Sequence, residues 1–95
     1  MVKTRKELNK AVQLQRYNIT EADYDRILAE QNGGCGICGV LPAHKTFHID
    51  HDHTTGHVRG ILCHQCNMML GGAGDLVDTL EKGIQYLLNY WRKLQ

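Results

Sequence analysis

The residues that could do chemistry are concentrated between His48 and Asn67. The stretch reads His48-Ile-Asp-His-Asp-His53-Thr-Thr-Gly-His57, then Val-Arg59-Gly-Ile-Leu-Cys63-His-Gln-Cys66-Asn67. It holds five of the six histidines, four of them clustered with two aspartates between His48 and His57, and two of the four cysteines; the other two cysteines, Cys35 and Cys38, lie upstream with the same Cys-x-x-Cys spacing. Zinc takes four soft ligands in a tetrahedron, and each Cys-x-x-Cys supplies two of them from one turn. Cys35, Cys38, Cys63 and Cys66 are therefore expected to hold Zn2+. Four thiolates leave no open position, so the ion would be structural. His44 and His64 lie near enough in sequence to replace a thiolate, which a full set of cysteines makes unnecessary. Two disulfides or a redox pair are the alternatives, and they suit a reducing compartment less well.

The remaining groups in the stretch suit phosphodiester hydrolysis, which needs a nucleophile, charge neutralisation and help for the leaving oxygen. A hard cation such as Mg2+ takes oxygen ligands and keeps several waters, so the Asp50 carboxylate and the Asn67 amide oxygen would suffice. His51 can take a proton from water near neutral pH and is the candidate general base. Arg59 could hold a phosphate. His48 would be a further ligand or an orienter. His53 and His57 could touch phosphate, and Asp52 could fix the tautomer of a histidine. The plainer alternative is a surface metal-binding tract, which leaves Asn67 unexplained.

The elements that must position these groups can be read from spacing. Residues 4–17 lack Gly and Pro and place Leu8, Ala11 and Val12 on one side, which predicts a short amphipathic helix ended by Asn18. Thr20 and Asp23 form a capping signal for a second helix, Glu21 to Gln31, stopped by Asn32-Gly33. Gly33 to Gly39 has the composition of a zinc knuckle, and Pro42 lies in the loop after it. Phe47 to Asp50 alternates as a half-buried strand does, with Phe47 and Ile49 toward the core and His48 and Asp50 toward a cleft. Asp52 to Gly56 is the turn, and Val58 to Leu62 the returning strand. Cys63 to Leu70 should open a helix ended by Gly71-Gly72. Asp75 is expected to cap a last helix running to about Lys93. Val77, Leu80, Ile84, Leu87, Trp91 and Leu94 follow a three-four spacing on it. That stripe is expected to pack on the core, with a dimer seam as the alternative.

Ninety-five residues make one small domain, which commonly needs a metal or disulfide staple. The expected division is a helical arm at 1–32, a zinc-centred core at 33–71 and a C-terminal helix at 72–95. No apolar run is long enough for a membrane span, and no secretory signal is visible behind the first residues, so a cytoplasmic location is expected. Charge is uneven. Residues 1–20, with Lys3, Arg5, Lys6, Lys10 and Arg16, carry a net +4, against −3 over the rest. A basic arm beside a metal site suits a polyanion such as DNA, although a solvated basic helix would look the same.

The motif His48-Ile-Asp-His-Asp-His53 followed by Gly56-His-Val-Arg-Gly-Ile-Leu-Cys-His-Gln-Cys-Asn67 resembles the phage recombination endonuclease VII family, within the wider HNH or ββα-metal nucleases. Tyr17 to Tyr24 and Gln31 to Cys38 are similar to its short members. The resemblance covers roughly residues 17–71. It implies a small α+β fold, a zinc-stapled ββα-metal (HNH, His-Me finger) core, flanked by N-terminal helices and a C-terminal helix. It implies a DNA endonuclease in which Asp50 and Asn67 hold Mg2+ or Mn2+, His51 activates water, and His48 and His53 assist. Leu70 departs from the namesake enzyme, which has an acidic residue there, and the region after Gly74 is shorter than the namesake's. Nicking or cleavage of duplex DNA is therefore expected rather than junction resolution. The expected partners are DNA, a second copy through the last helix, and packaging or recombination proteins if the gene is phage-borne, the site then being the host cytoplasm. A non-catalytic zinc module that binds DNA or protein is the rival.

Overall fold

A computed structural model describes residues 4–44 and 46–95; Lys3 of the basic arm lies outside them. In chain order the elements are α1 (Arg5–Arg16), α2 (Glu21–Glu30), β1 (Phe47–His51), β2 (Val58–Cys63), α3 (His64–Gly72) and α4 (Val77–Lys93). The fold is a small α+β arrangement of four helices and one two-stranded sheet.

The two strands are antiparallel, with Phe47 opposite Cys63, Ile49 opposite Ile61 and Asp50 opposite Gly60. Beyond Asp50 the register slips, and His51 faces Val58, which leaves Arg59 as the extra residue. A bulge of this kind bends the strand and re-aims a side chain. α3 starts directly after β2, with Cys63 at its N-cap position, and packs against both strands.

The core is built around sulfur. Its buried members are Cys35, Phe47, Ile61, Leu62, Cys63 and Cys66, flanked by Tyr24, Ile27, Leu28, Val40 and Leu70. Half of this buried cluster is cysteine, so apolar burial alone supplies little of the driving force.

Two glutamines hold α1 and α2 to the hairpin. A two-stranded sheet has two open edges of unpaired N–H and C=O groups. On the β1 edge, Gln13 of α1 accepts from the Ile49 N–H at 2.7 Å and donates to the Phe47 carbonyl at 3.5 Å. On the β2 edge, Gln31 at the end of α2 accepts from the Ile61 N–H at 2.9 Å. The Gln31 amide also donates to the Ile61 carbonyl at 2.8 Å and the Gly34 carbonyl at 2.9 Å. A Cβ at Gly60 would stand 2.8 Å from the Gln31 Oε1, so a side chain there would displace the Gln31 amide from the strand edge.

The helix ends follow local rules. The Thr4 hydroxyl accepts from the Glu7 N–H at 3.1 Å and caps α1. Thr20 and Asp23 form a reciprocal capping box at α2, with bonds of 3.0 and 3.1 Å. Three expectations need correction. The Leu8–Val12 side of α1 is largely exposed; Leu14, which that pattern did not include, is the buried residue of α1, beside Gln13. Asp75 does not cap α4. Leu76 stands at that position without a side-chain bond, and Asp75, one residue earlier, has φ 61°. α4 itself does not pack on the core. None of its residues is buried, and Val77, Ile84, Leu87 and Trp91 are each at least half exposed. The molecule is elongated as a result, 57 × 30 × 22 Å. Its radius of gyration is 15.9 Å, against about 12 Å for a compact chain of this length. Among the described residues no helix is long and apolar enough to cross a membrane.

Candidate metal centre and active-site cleft

The four cysteines converge. Their sulfurs all lie within 4.8 Å of one another, and the Cys38 and Cys63 sulfurs are 3.8 Å apart. A tetrahedron with zinc–sulfur bonds near 2.3 Å has edges of about 3.8 Å. The Cys35 sulfur accepts from the Cys63 N–H at 3.3 Å and the Ile37 N–H at 3.4 Å, as a metal-bound thiolate does. Burial pushes the Cys35 thiol up, but the N–H groups of Cys63, Ile37 and Cys38 outweigh it and hold the thiol below its ordinary range. Burial, followed by its three sulfur neighbours, pushes Cys66 up. Four thiols this close cannot all ionise unless a cation sits among them, and zinc supplies that charge. The cluster fits a structural zinc, and all four cysteines are free. It ties the knuckle before the hairpin to the first turn of α3.

Beside α1 the hairpin opens into a cleft of about 760 Å3. His48, Asp50, His51 and His53 line it from the strand and turn, Asn67 from α3, and Asp75 from the α3–α4 connection. Asn9, Arg16 and Tyr17 close its third side. Asp50, His51 and Asn67 therefore share one cavity. The chain reaches this arrangement because β1 alternates, β2 returns antiparallel, and the sulfur cluster fixes α3 against both.

Asp50 is buried, and its carboxylate is gripped side-on by Arg59, Nε to Oδ2 at 2.7 Å and NH2 to Oδ1 at 2.9 Å. NH2 also reaches the Asp75 carboxylate at 3.2 Å. The Asp50 hydrogen bonds, followed by Asp75, hold the guanidinium well above the usual arginine range, against the opposing effect of burial. Arg59, which the sequence offers as a phosphate ligand, pairs here with Asp50 and Asp75. The bulge between Asp50 and His51 lies at this pair.

His51, the last residue of β1, is half-buried, with its ring 4.6 Å from the Tyr17 ring and 4.6 Å from the His53 ring. His53 is exposed, its Nε2 3.6 Å from an Asp75 carboxylate oxygen. His48 and His64 share a hydrogen bond of 3.0 Å, and burial followed by His64 pushes the His48 imidazole below its ordinary range. One expectation fails in detail. Asp52 holds no histidine ring. Its carboxylate accepts from the Thr54 and Thr55 N–H groups at 2.7 and 3.0 Å and shapes the turn. His57 is exposed, and its carbonyl accepts from the Asp52 N–H at 2.8 Å.

Sequence reasoning missed Tyr17, Arg16 and Asp75 as cleft residues, and Gln13 and Gln31 as edge partners. The signal for the glutamines was the pair Gly36 and Gly60, whose missing side chains leave room for Gln31.

Asp50 and Asn67 offer the hard oxygen donors that a small divalent cation takes, and a side-on guanidinium leaves one lone pair on each carboxylate oxygen. In donor chemistry the cleft fits such a cation. Among the described residues, the cysteines are the only close cluster of three or more His, Cys, Asp or Glu donors.

Comparison with known proteins gives the family. The chain is 44% identical over 78 residues to the Gene 59 protein of Mycobacterium phage L5, covering 80% of this chain and 48% of that protein. It is 43% identical over 76 residues to the Gene 59 protein of Mycobacterium phage D29, covering 78% and 46%. The chain thus spans about half the length of these curated relatives. No solved structure matches it. The family described as recombination endonuclease VII matches residues 10–89, from within α1 to near the end of α4. On that match the chain belongs to the recombination endonuclease VII family.

Proposed function

We propose that the protein is a DNA endonuclease that hydrolyses phosphodiester bonds by the HNH, or ββα-metal, route. The observation that carries this reading is the cleft shared by Asp50, His51 and Asn67, beside a cysteine cluster that fixes α3 against the hairpin. Family membership supports it.

In this reading, β1, β2 and α3 form the ββα-metal unit. Asp50 and Asn67 hold Mg2+ or Mn2+, which when bound stabilises negative charge on the phosphate oxygens. One imidazole nitrogen of His51 accepts a proton from water, whose oxygen attacks phosphorus while the bond to the leaving oxygen breaks. Tyr17 and His53 flank the His51 ring and restrict its orientation. His48, held by His64, supports the strand face that carries Asp50. Arg16 lines the cleft, and Arg5, Lys6 and Lys10 continue the positive charge along α1, which supports DNA as the substrate. The cysteine zinc takes no part in the chemistry.

The apolar stripe of α4 has no partner within the described residues, which supports a weak homodimer through that helix.

The test is incubation of zinc-loaded protein with supercoiled, linear and branched DNA across several divalent cations. The reading predicts nicking or cleavage of duplex DNA that needs added Mg2+ or Mn2+. Asp50→Asn should lose it and keep its zinc. DNA binding with no cation-dependent cleavage would leave the non-catalytic zinc module instead.

A further inference from the structure

We propose that Asp75 is a seat for Arg59, and that sharing the guanidinium between two carboxylates lets Asp50 accept a divalent cation. The inference rests on the nuclease reading for the role of Asp50 and adds a residue that this reading does not assign.

Three observations support it. The first is the bridge itself. The same NH2 group reaches Asp50 at 2.9 Å and Asp75 at 3.2 Å, from the hairpin to the α3–α4 connection. The second is the backbone at Asp75. Its φ of 61° lies in the left-handed region, which aspartate and asparagine tolerate better than most residues, and it turns the chain where α3 gives way to α4, bringing the side chain to the hairpin. The third is location. Asp75 lines the same cleft as Asp50, and its other oxygen faces His53 at 3.6 Å.

The electrostatics then follow. A cation at Asp50 and a guanidinium at Asp50 compete for the same negative charge, and close positive charges repel. With Asp75 present, Arg59 keeps a counter-ion when it yields Asp50, and it stays in the cleft instead of being expelled. Without Asp75, Arg59 has only Asp50 and resists the cation. Asp75 is therefore a positioning residue that acts through Arg59.

The test is a double-mutant cycle read by calorimetric titration of Mn2+ alone into the zinc-loaded chain. Asp75→Asn removes the charge and keeps a residue that tolerates left-handed backbone; Asp75→Gly relaxes the backbone altogether and serves as the second variant. Both should weaken Mn2+ binding about tenfold in the Arg59 background, the scale of one lost close charge interaction. In an Arg59→Gln background the same substitutions should change it less than about twofold, since contacting residues couple and independent ones add. An equal loss in both backgrounds would make Asp75 a direct partner of the cation and overturn the proposal. No loss in either would overturn it as well. Wild-type protein that binds Mn2+ and cleaves DNA alongside an unaffected Asp75→Asn variant would sink the seat alone. Wild-type protein that neither binds nor cleaves would sink the nuclease reading and the seat together.

Discussion

The Gln31 side chain pairs with Ile61 as a neighbouring strand would, accepting from its N–H at 2.9 Å and donating to its carbonyl at 2.8 Å. Ile61 is fully buried, so these main-chain groups have little access to water. The Ile61 carbonyl also accepts from the Gly36 N–H at 3.0 Å, so Gln31→Leu strands the Ile61 N–H and should cost about 1–3 kcal/mol, the scale of one buried group left unpaired. Gln31→Glu should not fully rescue it, because a carboxylate can accept from the Ile61 N–H but cannot donate to the carbonyls of Ile61 and Gly34. Denaturant unfolding of the zinc-loaded chain measures both. A loss under about 0.5 kcal/mol would mean the edge is satisfied by water.

Arg59 is the cation that Asp50 meets within the protein. Arg59→Met should lower the melting temperature, because it leaves a buried carboxylate without a partner, at a cost of about 1–3 kcal/mol. Mn2+ should then raise the melting temperature of the variant more than that of the wild type, by mass action on the freed carboxylate. Arg59→Lys keeps the charge and loses the fork, and should fall between the two. Equal stabilisation of all three proteins by Mn2+ would place the ion away from Asp50.

Three of the eight buried core residues are cysteines of the sulfur cluster, so removing zinc should unfold the domain and not merely loosen one loop. One zinc per chain is expected. Chelation, or Cys66→Ser, should abolish the cooperative transition seen by circular dichroism. A chain that melts at an unchanged temperature after metal removal would show that the core stands without it.

Trp91 lies on an apolar stripe with nothing buried along it. Sedimentation at rising protein concentration should show a reversible dimer, and Trp91→Glu should return it to monomer with the melting temperature unchanged. A stripe that served as core would behave in the opposite way, with a monomer at every concentration and a destabilised variant.

Metal chemistry and strand alternation made the centre of this fold readable in advance. Two Cys-x-x-Cys pairs have few uses in one short chain, and Phe47 to Asp50 alternates because one face must be buried. The Thr20–Asp23 box was legible for the same reason, since it is closed within four residues. What was not legible depends on contacts between distant segments. Gln13 and Gln31 look like surface residues until the strand edges, 30 or more positions away, are brought beside them. Asp75 reads in the sequence as a helix cap, and only the fold reveals that it lies one residue before the cap and that its partner is Arg59. The α4 stripe states that a helix has an apolar face and says nothing of what covers it.

The central claim is that His51 works chemically in a cleft whose structure does not depend on it. The direct measurement is plasmid nicking by His51→Ala in Mg2+ or Mn2+, with zinc content and melting temperature recorded on the same sample. The account predicts a loss of about 100-fold or more, the usual worth of a general base, with zinc and stability unchanged. Nicking at the wild-type rate by a folded, zinc-loaded His51→Ala protein would contradict it.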